Sequence, residues 1–99
     1  MESDIKDKLT AHITNLIINT KHNLTSLKYF PLHFGNIEVE LTNNEYIVRF
    51  TYDRGDIYRE VEIINAPQFN NEQLIYCHST PHNEPYELLI KAIDEFIGN

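Results

Sequence analysis

The chain has 99 residues, 41% of them hydrophobic and 23% charged, which suits one soluble domain with a modest core. Eight basic against fifteen acidic residues give a net charge of −7, which argues against a general grip on nucleic acid or on an anionic membrane surface. A single cysteine, Cys77, excludes an internal disulfide and fits a reducing cytosol.

The first residues, Met1-Glu2-Ser3-Asp4-Ile5-Lys6-Asp7-Lys8, lack the basic stretch and apolar run of a signal peptide. Apolar runs such as Leu16-Ile17-Ile18 and Leu88-Leu89-Ile90 are far shorter than the ~20 residues of a membrane-spanning helix. A single cytoplasmic domain over 1–99 is therefore expected.

From Ser3 to Lys21 the spacing predicts a helix. Ile5, Leu9, Ile13, Leu16 and Ile17 recur every three or four positions, Ser3 can cap the start, and Asp4 and Asp7 suit the positive end of the helix dipole. Leu27 to Phe34 is apolar but interrupted by Pro31, and reads as an irregular arm packed on the core. Gly35-Asn36 then opens a strand.

Strict alternation follows. Ile37, Val39 and Leu41 interleave with Glu38 and Glu40. Tyr46, Val48, Phe50 and Tyr52 interleave with Ile47, Arg49 and Thr51. Ile57, Val61 and Ile63 interleave with Tyr58, Glu60 and Glu62. Asn43-Asn44 and Asp53-Arg54-Gly55-Asp56 supply the turns, so the three runs predict an antiparallel meander. Pairing Leu41 with Tyr46 brings Val39 to Val48 and Ile37 to Phe50. Pairing Tyr52 with Ile57 brings Val48 to Val61 and Tyr46 to Ile63. Apolar then meets apolar, with Arg59 opposite Phe50 the one exception, and a slip of one residue would set Val48 against Glu60. A two-residue or a four-residue second loop gives the same pairing; an arginine at positive φ favours the longer.

A loop runs from Asn65 to Glu72, Gln73–Cys77 reads as a short fourth strand, and His78–Asn83 is a second loop with Pro81. The last segment is helical, with Pro85 at its start, Gly98 at its stop, and a stripe of Tyr86, Leu89, Ile90, Ile93, Phe96 and Ile97. The fold class is thus α+β in two layers: an N-terminal helix, an antiparallel meander of three to four strands, and a C-terminal helix.

In this register the other sheet face groups Glu38, Arg49 and Glu60 in one row and Glu40, Ile47 and Glu62 in the next, with Thr51 beside Tyr58. Residues 1–33 hold 4 basic and 3 acidic groups, while 34–99 hold 4 and 12, so the acidity is directional. A flat sheet neither buries a carboxyl nor pairs two in a cleft, so acid–base catalysis is not indicated. The face reads instead either as a solvated sheet surface, with Arg49 offsetting its flanking glutamates, or as a docking surface for a basic partner. Cys77, His78 and His82 read as a polar loop beside a buried cysteine rather than as a metal or catalytic set: Pro81 breaks the helix that would align the histidines, and neighbours on a strand diverge. No cofactor is implied. The Arg54-Gly55-Asp56 order is read as turn chemistry, without a secretion signal to give it another meaning.

Phe34-Gly35-Asn36, the strands after it, and Asp53-Arg54-Gly55 form a pattern that resembles small bacterial immunity proteins of polymorphic toxin systems, including contact-dependent growth inhibition. The likeness spans Phe34 to Ile63 and departs at Arg59, a charge on the core-facing side. It implies a cytosolic protein that neutralises a cognate toxin, of nuclease type, by stoichiometric binding. The partner surface would then comprise Glu38, Glu40, Glu60 and Glu62 with the tip residues Asp53, Arg54 and Asp56, and Arg49 would position its glutamate neighbours. Other readings are a homodimeric scaffold, a broader inhibitor that imitates nucleic acid, and a small Cys/His hydrolase. Direct binding to nucleic acid or membrane is not expected.

Overall fold

Alternation over the middle of the chain demands a sheet with one oily face, and an oily face demands a cover. The computed structural model describes residues 2–54, 56–64, 72–77 and 85–98, with side chains over 4–54, 56–64 and 87–98. Helix α1 is Glu2–Ile17 and helix α2 is Pro85–Gly98. Between them lie β1 (Asn23–Phe30), β2 (Asn36–Thr42), β3 (Tyr46–Asp53), β4 (Asp56–Ile63) and β5 (Glu72–Cys77). The strands form one antiparallel sheet in the order β1-β2-β3-β4-β5. The two-layer α+β class holds, and the meander starts one strand earlier than the sequence suggests.

That extra strand, β1, replaces the expected arm. Leu24, Leu27 and Tyr29 pair with Leu41, Val39 and Ile37 and pack against the core, while Ser26, Lys28 and Phe30 take the other face. A bulge between Leu24 and Ser26 breaks the period of two. Pro31 stands just past the strand, where it costs no ladder hydrogen bond.

α1 contributes Leu9, Ile13 and Ile17 to the core, with Ile5 and Leu16 at its margin. It stops at Ile17 rather than Lys21. Thr20 ends it, its backbone N–H and its hydroxyl both donating to the Ile17 carbonyl at 2.9 and 2.8 Å. Ser3 lies inside the first turn, not before it. α2 buries Leu88, Leu89, Ile90, Ala92 and Ile93, a wider stripe than predicted. Both helices cover the same sheet face, α1 over β1 and α2 over β3 and β4. Ile37, Val39, Leu41, Val48, Phe50, Ile57 and Val61 meet them there.

Arg59 is the charge on this inner face, opposite Phe50. Its guanidinium sits 4.7 Å from the centre of the Phe96 ring, where the π face receives the cation. Phe96 also meets Phe50 and Tyr46 edge-on at 5.8 and 5.7 Å. Where α1 gives way to β1, His22 Nε2 lies 2.7 Å from the Tyr46 hydroxyl. Burial holds the His22 imidazole below its usual range. Burial, seconded by the Glu45 charge, pushes the Tyr46 phenol up, against the opposing hydrogen bond from Asn43.

The first hairpin takes a different register from the one expected. Leu41 pairs with Val48, Val39 with Phe50 and Ile37 with Tyr52. The cause is Asn43. Its Oδ1 accepts the backbone N–H groups of Glu45 and Tyr46 at 2.8 and 2.9 Å, and its own N–H donates to the Tyr46 carbonyl. Asn43 therefore opens the turn, and Asn44-Glu45 is its centre. Neither central residue has positive φ. The second hairpin has the expected register, with Asp53 paired to Asp56 around a two-residue loop in which Arg54 accepts φ +50°. Gly55, Pro67, His78, Pro81, His82 and the expected loops around them lie outside the described residues, as do the side chains of Ser3, Cys77 and Tyr86.

Candidate protein-binding face

The face turned away from the helices is built by every second residue of the strands. Register places Ser26, Lys28 and Phe30 of β1 beside Glu40, Glu38 and Asn36 of β2. It continues to Arg49, Thr51 and Asp53 of β3, then to Tyr58 and Glu60 of β4. The rows are Glu40–Arg49–Glu60, Glu38–Thr51–Tyr58 and Thr42–Ile47–Glu62. The expected row of Glu38, Arg49 and Glu60 is thus corrected by the two-residue shift of the first hairpin. Because the shift is even, every predicted outward residue still points outward.

Arg49 is engaged within the face. Its Nε donates to Glu40 Oε2 at 2.8 Å, and a second guanidinium nitrogen lies 3.6 Å from Glu62 Oε1. The Thr25 hydroxyl, raised by the bulge, donates to the other Glu40 oxygen at 3.0 Å. Glu40 is therefore held from two sides. Glu38 and Glu60 are exposed and have no ion pair among the described residues. Lys28 and Arg49 are the cations of the face proper, set against Glu38, Glu40, Asp53, Asp56, Glu60 and Glu62. A hollow of about 240 Å³, lined by Ser26, Lys28, Glu38, Glu40, Arg49 and Thr51, is smaller than a typical small-molecule pocket. Among the described residues no group of His, Cys, Asp and Glu is placed to hold a metal.

The tip residues join the same face at one end. Arg54 Nε lies 3.0 Å from Asp53 Oδ1, and its guanidinium stacks 5.1 Å from the centre of the Phe34 ring. The β3–β4 tip and the β1–β2 loop thus form one corner. A second hollow of about 350 Å³ opens there, between Phe30, His33, Asn36, Glu38, Thr51 and Asp53. Leu32 and Phe34 project from the loop, 92% and 73% exposed.

All eight predicted site residues lie on this face or at its tip. The reading from sequence missed the β1 contribution, Lys28 above all, and the projecting loop. For the loop the sequence held a signal, an apolar pair, Leu32 and Phe34, next to a proline in a segment too short for a helix; β1 had none, because its bulge breaks the alternation. No family model, curated protein or solved structure matches the chain. Among the described residues no helix is long and apolar enough to cross a membrane.

Proposed function

We propose that the protein is a cytosolic immunity protein, which neutralises a cognate toxin domain by stoichiometric binding through its outward acidic face. The observation that supports this most is how the charges are spent. Arg49 is taken up by Glu40 and Glu62, so Glu38, Glu60 and Asp56 are left to meet a partner's cations. A nuclease grips its substrate with basic surface, and an open carboxylate face competes for that surface. Charge complementarity also speeds capture, which counts when the toxin is already inside the cell. The choice of a toxin as partner comes from the sequence likeness over Phe34 to Ile63.

The test is capture from lysate by the wild type and by Glu38→Lys/Glu40→Lys/Glu60→Lys/Glu62→Lys, once the variant is shown to fold. One basic partner is expected, held by the wild type and lost by the variant. Expressed alone, that partner should arrest growth, and the wild type should relieve the arrest. A partner retained by the folded variant would refute the role of the face. Capture of many nucleic-acid enzymes would favour the broader inhibitor.

A further inference from the structure

The β1–β2 loop is built against its own turn preferences. His33 N–H donates to the Phe30 carbonyl and Asn36 N–H to the His33 carbonyl, making two successive turns. In the second turn both central residues have positive φ: Phe34 at 62° and Gly35 at 69°. Such a turn calls for Asn or Gly at its first central position. Here that position holds a phenyl ring, which is strained in the left-handed region and gains little from burial at 73% exposure. Two residues earlier Leu32 stands almost fully in water. At the loop's end Asn36 Oδ1 is buried with no hydrogen-bond partner. A bulky residue in the wrong turn position, two projecting apolar side chains and an unpaired buried oxygen meet within five residues. Strain and unmet hydrogen bonds of this kind gather where a chain contacts something else.

We infer that this loop is the anchor of the interface: Leu32 and Phe34 enter an apolar cleft of a partner protein, and basic side chains on its rim meet Asp56 and Glu38. The inference rests on the binding role proposed above and names where its energy is concentrated. Charge selects the occupant. The two apolar side chains stand beside a carboxylate rim, and Arg54, the cation of this corner, is already shared between Asp53 and the Phe34 ring. A second copy of the chain fits badly. It would bring Glu38, Asp53 and Asp56 towards their own counterparts in a protein of net charge −7. Central aromatic anchors within a charged rim are the usual layout of binding hot spots.

The test begins with p-benzoylphenylalanine placed at Phe34 and, separately, at Ile18, which is 69% exposed at the far end of α1. After irradiation in the native cells, an adduct with one basic protein is expected from position 34 and none from position 18. An adduct with another copy of the chain, or none at position 34, overturns the inference. The crosslinked protein is then purified and its affinity measured for the wild type, Phe34→Asn, Leu32→Ser, Ile18→Asn and Glu40→Lys/Glu60→Lys/Glu62→Lys. Phe34→Asn should weaken binding roughly thirtyfold, as a hot-spot loss does. Its melting temperature should stay level or rise, because Asn suits the turn better. Leu32→Ser should weaken binding by at least about tenfold, and Ile18→Asn should bind like the wild type. Binding within about threefold of wild type for both loop variants refutes the anchor. The triple lysine variant reads the acidic face separately. Loss there with intact loop variants would sink the anchor and keep the face; the reverse would keep the anchor and sink the face.

Discussion

The pairing of Arg49 decides how the outer face is laid out, and it can be read by thermodynamics alone. The hydrophobic pattern sets Arg49 opposite Glu38, whereas the folded chain sets it opposite Glu40, with Nε 2.8 Å from Oε2. The perturbation is a double-mutant cycle: Glu40→Gln, Arg49→Met and the two together. The side chains are 44% and 28% exposed, so water screens much of the attraction. Exposed pairs of this kind contribute ~0.2–1 kcal/mol. The Thr25 hydroxyl fixes the Glu40 carboxylate in advance, which lowers the entropy lost on pairing and places the coupling near ~0.5 kcal/mol. In a domain of this size that is a shift of about 2–4 °C in melting temperature. Urea unfolding at low salt measures it, and 1 M NaCl should shrink it. A parallel cycle on Glu38 and Arg49 should show no coupling. Equal or stronger coupling to Glu38 would refute the register and the layout of the face built on it.

Phe50→Ala should be far more costly than any outward change. The ring is fully buried and is stacked edge-on by Phe96, so a loss of ~3–5 kcal/mol is expected in urea unfolding, and a loss below ~1.5 would contradict the packing. His22 should make stability fall in mild acid. Its imidazole titrates below the usual range when folded, so the unfolded chain takes up that proton first, and this contribution is complete above about pH 6.5 and lost as the pH drops through the folded value. His22→Gln should flatten the decline in melting temperature between about pH 7 and pH 5; an unchanged profile would place the acid sensitivity elsewhere.

The inner face was legible because burial enforces it. Every residue predicted to face the helices from β2 to β4 does so, since a one-residue slip would expose all of them at once. The outer layout was not legible, because a two-residue slip leaves the inner face apolar and changes only which outward residues are neighbours. The deciding group was one side-chain carbonyl, Asn43 Oδ1, and pattern alone does not reveal whether an Asn sits inside a turn or opens it. β1 was hidden by its bulge: Thr25 puts Leu24 and Leu27 three apart, a spacing that suggests no strand. The anchor loop escaped for a related reason, since apolar residues beside a proline read as packing on the core, and only their exposure shows that both stand outside it.

The register of the first hairpin has a consequence for how such a protein diversifies. Stability is vested in one side of the sheet, and the other side answers to almost no folding constraint. Exchanging residues at Glu38, Arg49, Thr51, Glu60 and Glu62 rewrites what a partner meets without touching the core around Phe50, and moving the turn by two residues re-pairs the outward residues while the inward face stays apolar. A lineage of such chains can therefore change allegiance from one partner to another in single steps, each viable. In relatives of this chain, the variable positions should alternate along the strands with the constant ones.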